Sequence, residues 1–244
     1  MKLISLNIWG GKVHEPLIEF FKKYQDEIDI FCLQEAFNNA ITARPIHDES
    51  VMNIFDELAH VLPNHTGYFN PSQTNEEGIA TFARNDLSIK KQGDTFVFRW
   101  LDAMENNDAR TMGRNMQYIE VEENGKSVTI ANVHGLWNGV GKTDTEDRLE
   151  QSKNIKSFLG SIDGDKILCG DFNLLPDTHS LALLEDGYRN LVKEKGITST
   201  RSHFYSKPEK FADYILVTPD VEVKEFKVLE DVVSDHLPLL LEFN

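Results

Sequence analysis

The sequence predicts an α/β protein built on mixed sheets, and three observations carry that prediction. Strand-type segments outnumber helix-type segments, and the two alternate along the chain. A hairpin pattern around Asn124-Gly125 requires antiparallel neighbours. The 244 residues contain no internal repeat, low-complexity tract or Pro/Ser-rich linker, so a single domain over 1–244 is expected.

Residues 2–8 alternate as a strand, and 16–27 read as a helix with Pro16 at its first position. The apolar run 28–34 is a second strand. Val51, Ile54, Phe55, Leu58 and Leu62 recur at helical spacing, and 78–84 is a strand of small residues. Segments 118–121 and 128–131 form the arms of the hairpin. A polar helix over 144–159, a buried strand at 167–170 and a short helix over 180–185, ended by Gly187, follow. Segments 212–217, 223–229 and 237–243 complete the set as strands.

Composition bounds the function. Hydrophobic residues make up 40% and charged residues 27%, which is ordinary globular usage. The start of the chain lacks the apolar core of a secretory signal, and no segment approaches the roughly 20 apolar residues of a membrane span, so a cytoplasmic protein is expected. Cys32 and Cys169 each sit in a strand-like apolar run and read as reduced, buried thiols. A net charge of −15 opposes the broad basic patch of a tight DNA binder. It does not exclude a nucleic-acid substrate gripped locally by bound metal and a few cations.

Polar residues suited to metal or phosphate chemistry repeatedly close apolar strands, where sheet-based sites gather side chains from distant sequence. Asn7 ends the first strand, Glu35 follows 30–34, His134 follows 130–133, Asp171 and Asn173 follow 167–170, and Asp235-His236 precede the last strand. Any one acid after a strand is more often a turn former or helix cap. Asp171 and Asn173 are two apart, so an extended chain would send both to one side. Mg²⁺ or Mn²⁺ needs a few hard oxygen ligands, which Glu35 and Asp235 can supply. A base for water, a donor to the developing phosphorane charge and a partner to orient that donor suit Asp171, His236 and Asp213.

The motifs Leu6-Asn7-Ile8-Trp9, Leu33-Gln34-Glu35, Asn132-Val133-His134, Gly170-Asp171-Phe172-Asn173, Ala212-Asp213-Tyr214-Ile215 and Ser234-Asp235-His236-Leu237-Pro238 together resemble the endonuclease/exonuclease/phosphatase superfamily, in its order and over nearly the whole chain. The resemblance implies a four-layer α/β sandwich, two sheets face to face with helices outside and the site at one edge. It would make Glu35 the principal metal ligand, helped by Asn7 and Asp235. Asp171 would orient or deprotonate water, and Asn173 would hold the scissile phosphate. His236, aligned by Asp213, would donate to a non-bridging oxygen, and His134 would contact the phosphate or assist the leaving group. Many members carry an Arg two residues before the equivalent of Asp213, whereas this chain has Phe211, which leaves the anchoring of Asp213 open. Arg114 resembles an Arg that several phosphodiesterase branches place beside substrate, against the alternative of a surface ion pair. The implied substrate is a phosphoester of nucleic acid, nucleotide, phospholipid head group or inositol phosphate, handled by a monomer without a stable protein partner.

Two rival readings accompany this one. The segment 136–143 ends in Gly141-Lys142-Thr143 like a phosphate-binding loop of a nucleotide triphosphatase, but the required first Gly falls on Leu136. The bland reading is a glycine-rich loop beside the site, with Trp137 available to stack on substrate and Lys142 solvated. The other rival is a catalytically silent binding module of the same fold. Asp163-Gly164-Asp165 fails as a calcium loop because the turn Gly falls on Leu168. Trp9 and Trp100 read as core or rim aromatics, and His14, His47, His60, His65, His179 and His203 as surface or structural.

Overall fold

The computed structural model describes residues 1–41, 49–74, 76–106, 108–123 and 125–244; His47 and the turn residue Asn124 lie outside them. In the first half, β1 (Lys2–Asn7), β2 (Ile30–Phe37), β3 (His65–Pro71) and β4 (Glu77–Arg84) accompany helices α1 (His14–Tyr24) and α2 (Ile54–Val61). Next come β5 (Ser88–Phe98), β6 (Arg114–Glu123), β7 (Lys126–His134), α3 (Glu146–Gly160) and β8 (Asp165–Asp171). The chain ends with α4 (His179–Glu185), β9 (Arg189–Asn190), α5 (Leu191–Glu194), β10 (Asp213–Val217), β11 (Val223–Val228) and β12 (Leu239–Phe243).

The strands form two six-stranded mixed sheets, ordered β11-β12-β1-β2-β4-β3 and β5-β6-β7-β8-β10-β9. One apolar cluster joins the inner faces, with Leu3, Ile30 and Cys32 of the first sheet against Ile130, Ile167 and Cys169 of the second. The same cluster continues to α3 and α4 through Ile155, Leu159 and Leu181, while a second cluster packs Leu17, Phe20, Phe21 and Leu58 of α1 and α2 on the outer face of the first sheet. The result is the four-layer sandwich expected from the resemblance. Both cysteines are unpaired and buried. No helix of the described residues is long and apolar enough to cross a membrane.

Two predicted helix starts move. The first begins at His14, so Pro16 sits at its third position, still within the turn whose N–H groups have no helical partner. The polar helix begins at Glu146, after Thr145, whose hydroxyl accepts from Arg148 N. Trp100 is 68% exposed and belongs to neither core nor pocket lining.

A polar seam crosses between the sheets near the ends of the central strands. Gln34 Nε2 donates to Asn132 Oδ1 at 2.6 Å, Asn132 Nδ2 to the carbonyls of Leu33 and Ala80 at 3.1 Å, and Thr81 Oγ1 to Gln117 Oε1 at 2.6 Å. Because a buried donor left without an acceptor is costly, these donors fix how the two sheets meet where their functional strand ends converge.

Candidate active site

Register brings the strand ends together. β1 and β2 run parallel with Asn7 opposite Gln34, and β7 and β8 run parallel with His134 opposite Asp171, while antiparallel β10 sets Asp213 opposite Asp171. The two sheets thereby deliver Glu35, His134, Asp171, Asn173, Asp235 and His236 to one cleft of about 350 Å³.

Glu35 lies inside β2, where the pairing with β4 slips between Leu33 and Ala36, and it takes a left-handed φ of 54°. A bulge of this kind re-aims a side chain, here into the cleft. Asn7 Nδ2 bridges the acids, donating to Glu35 Oε1 at 2.9 Å and Asp171 Oδ2 at 3.1 Å, while its Oδ1 accepts Trp9 N at 2.9 Å. In this arrangement Asn7 turns its nitrogen, not its oxygen, to the place of a cation. Ligation through Asn7 would require the amide to turn over and Trp9 N–H to lose its acceptor.

Asp171 Oδ1 accepts Asn173 N at 2.8 Å, and Asn173 has φ 52°. The chain therefore turns after Asp171 instead of staying extended, because the carboxylate captures the backbone two residues on. Asn173 still reaches the cleft. Although burial opposes its charge, Asp171 is held well below the usual carboxylate range by His236, Lys142, Arg201 and His134. It stays ionised and is a weak base.

His236 Nδ1 donates to Asp213 Oδ1 at 2.7 Å, and Thr200 Oγ1 donates to Asp213 Oδ2 at 2.7 Å. Thr200 is thus the anchor that the missing Arg left open. Burial and Arg201 push His236 down, yet Asp213, Asp235 and Asp171 outweigh them and raise it above its ordinary value. Its Nε2 lies 3.6 Å from Asp171 Oδ2 and against Arg201 Nη1. His134 Nδ1 meets Arg114 Nη1 at 3.4 Å, and a guanidinium only donates, so the ring proton belongs on Nε2, 3.7 Å from Glu35 Oε1. Burial and Arg114 hold His134 down to about 4.

Arg114 is no surface pair: it is 4% exposed, lines the cleft and contacts Glu77 at 3.2 Å. Lys142 is not solvated either, with 4% exposure and its ammonium 2.5 Å from Asn173 Oδ1. Trp137 and Trp9 both form the rim, with Lys207 5.7 Å and Lys12 5.0 Å from their respective ring centres. Among the residues that sequence reasoning missed, Glu77 opens β4, whose antiparallel pairing sets its start beside the end of β2. Arg201, 3.1 Å from Asp235 Oδ2 and 4.0 Å from the Tyr205 ring, comes from a loop with no periodic signal.

Glu35, His134 and Asp171 offer ligand atoms within 4.8 Å of one another, as do Asp171, Asp213 and His236. In the second set His236 and Asp213 are already bonded to each other. The first is short of positive charge: burial, Glu77 and Asp235 push Glu35 up to about 7, which a bound cation would reverse. Its donors, carboxylate oxygens and one imidazole, suit Mg²⁺ or Mn²⁺.

The sequence profile of the Endonuclease/Exonuclease/phosphatase family matches residues 4–236. No curated protein sequence matches significantly. Solved structures resemble the chain over its full length. An endonuclease/exonuclease/phosphatase family protein from Bacteroides thetaiotaomicron aligns with TM-score 0.74 and 21% identity, covering 100% of this chain and 94% of that one. A mannosyl-6-phosphatase from the same bacterium gives 0.73 and 21%, with 100% and 99% covered. The human Nocturnin catalytic domain with bound sulfate gives 0.67 and 19%, with 100% and 94% covered. At these identities the likeness concerns the fold.

Proposed function

Because this chain belongs to the Endonuclease/Exonuclease/phosphatase family, we propose that it is a hydrolase of phosphodiesters that works with Mg²⁺ or Mn²⁺, as one catalytic domain over 1–244 acting as a monomer. The observation that carries the reading is the pairing of Glu35 and Asp171 through Asn7, with His134 and His236 on either hand. Glu35 is the main candidate ligand, with Asp171, His134 and Asp235 in reach. A divalent ion there would polarise the phosphate and offset its charge.

The chain's own groups divide the remaining work. Asp171, kept ionised, orients the attacking water and accepts its hydrogen bond more readily than it takes the proton outright. His236, raised by its carboxylate neighbours and aimed by Asp213, donates from Nε2 to a non-bridging oxygen as charge builds there. Arg201 must yield that nitrogen when substrate arrives. Asn173 offers an amide N–H to the phosphate, and His134, neutral with its proton on Nε2, contacts the phosphate or the leaving oxygen. Arg114 lies behind His134 and adds positive field, while Trp137 flanks whatever the phosphate carries.

A half-open cleft with a rim of tryptophans and lysines supports a small ester, or the end of a larger one, over a long duplex. The triphosphatase alternative loses support because 136–143 turns the carbonyls of Leu136, Gly141 and Thr143 inward, to Arg148, where a phosphate loop presents N–H groups. The silent-module alternative remains for experiment. Purified protein should hydrolyse an activated diester such as bis(p-nitrophenyl) phosphate with Mg²⁺ or Mn²⁺, and chelation should stop it. Glu35→Ala, Asp171→Asn and His236→Ala should each cost on the order of 10²-fold or more in kcat while circular dichroism stays native. Chelator-resistant turnover would refute the metal assignment, and no turnover on any diester, nucleotide or lipid head group would favour the silent module.

A further inference from the structure

We propose that Lys142 is a phosphate-binding cation of this site and the positioning residue for Asn173, delivered by an arch that the buried Arg148 holds in shape; the idea rests on the phosphoesterase reading above. The arch is the segment 135–145 between β7 and α3. Gly139 (φ 78°) and Gly141 (φ 68°) give it a left-handed course, and a Cβ on Gly139 would lie 2.9 Å from the Arg110 side chain.

Nothing in ordinary helix packing calls for a fully buried arginine, yet Arg148, in the first turn of α3, is 2% exposed. Its guanidinium donates to Leu136 O at 3.3 Å, Thr143 O at 2.5 Å and Gly141 O at 2.6 Å. One turn on, Gln151 Oε1 accepts Leu136 N at 2.9 Å. These contacts bracket Lys142 on both sides. The Lys142 carbonyl then accepts Leu175 N at 2.9 Å, which ties the arch to the loop after Asp171.

The ammonium so placed is 4% exposed, lines the cleft and meets Asn173 Oδ1 at 2.5 Å. A lysine only donates, so the atom of Asn173 facing it must be the oxygen. The amide nitrogen is thereby fixed on the other side, where one N–H goes to Gly135 O at 3.2 Å and the second remains for a phosphate oxygen. A buried ammonium bonded to a neutral amide keeps unused donors and an unspent charge, at a point where Asp171 is near enough to be held ionised by it. An anion entering the cleft would meet both.

The test compares wild type with Lys142→Met and Lys142→Cys, the latter before and after alkylation with 2-bromoethylamine, which restores an ammonium of similar reach. Cys32 and Cys169, each 0% exposed, should not react in the folded protein. Three readouts are taken: kcat/KM on bis(p-nitrophenyl) phosphate, the Kd of inorganic phosphate for the Mn²⁺-loaded protein, and the Kd of Mn²⁺ alone. Lys142→Met is expected to lose about 10²-fold in kcat/KM and at least about tenfold in phosphate affinity. Mn²⁺ affinity should stay within about twofold, and alkylation of the Cys variant should recover most of both losses. Phosphate affinity and kcat/KM within about twofold of wild type in a folded variant would overturn the proposal. So would a folded Cys variant whose losses alkylation leaves untouched. If wild type turns over no ester at all, the phosphoesterase reading fails, and the phosphate and Mn²⁺ constants still decide the role of Lys142. Should Lys142→Met not fold, the folded Lys142→Cys variant before and after alkylation carries the comparison.

Discussion

Glu35 and His134 are displaced in opposite senses by the same burial, and their opposition is measurable. Glu35 keeps its proton up to about 7 against an ordinary 4.5, so in metal-free protein the stability it contributes is present at low pH and is lost as pH rises through that window. His134 refuses a proton down to about 4 against an ordinary 6.5, so stability is lost as pH falls from 6.5 and the unfolded chain takes the proton up. The His134 effect is worth up to roughly 3 kcal/mol, and that of Glu35 less, since its side chain keeps 27% exposure and is partly screened. Chelated wild type should therefore show a shallow urea-stability profile between pH 4.5 and 6.5. Glu35→Gln should fall steeply on acidification, and His134→Gln should rise; parallel profiles for all three would refute the assigned directions. At this scale the sequence exposed the residues that close strands and hid those that do not. Glu77 opens a strand and Arg201 sits in a loop whose shape depends on distant partners, so no local pattern announced either; Lys142 stood out in a Gly-Lys-Thr motif but read as solvated, because its burial depends on the hold of Arg148 on its neighbours.

Among elements, the same physics separates the strands that were legible from those that were not. The central strands β1, β2, β7, β8 and β10 are buried on both faces and read as apolar runs. The missed strands β3, β5 and β9 all occupy sheet edges, with one neighbour each and partly exposed side chains, which weakens periodicity. β3 even carries Gly67 and Pro71, residues that a reader of patterns takes for a break. The seam between β7 and β8 is where an element most directly sets the chemistry, since it aligns His134 with Asp171. Gly170 makes that alignment possible: it has φ 136°, and a Cβ there would lie 2.0 Å from Val133 O. Gly170→Ala should cost on the order of 2–4 kcal/mol in urea unfolding and weaken Mn²⁺ binding in whatever protein still folds. A loss under about 0.5 kcal/mol would show that the seam can open without strain.

On the scale of the whole molecule, charge distribution decides which phosphoesters can reach the site. The chain carries −15, yet Lys12, Arg114, Lys142, Arg201 and Lys207 all line one cleft. Three of these cations lie inside the cleft, beside Glu77, Asn173 and Asp235, and two lysines stand at the rim, a short cluster and not a continuous track for a backbone. A duplex engaging such a mouth would neutralise two or three phosphates, so its affinity should vary with salt by a log–log slope of about −2 to −3. An extended cationic track making 6–10 contacts would instead give a slope of roughly −5 to −9. Long duplex DNA, added as a competitor while a small diester is turned over, should accordingly inhibit only above about 10 μM in the 50–200 mM salt range, with the shallow slope. Nanomolar inhibition with the steep slope would mean that the acidic surface is overridden along a path outside the cleft, and would replace a small or terminal phosphoester with a polymer as the substrate class.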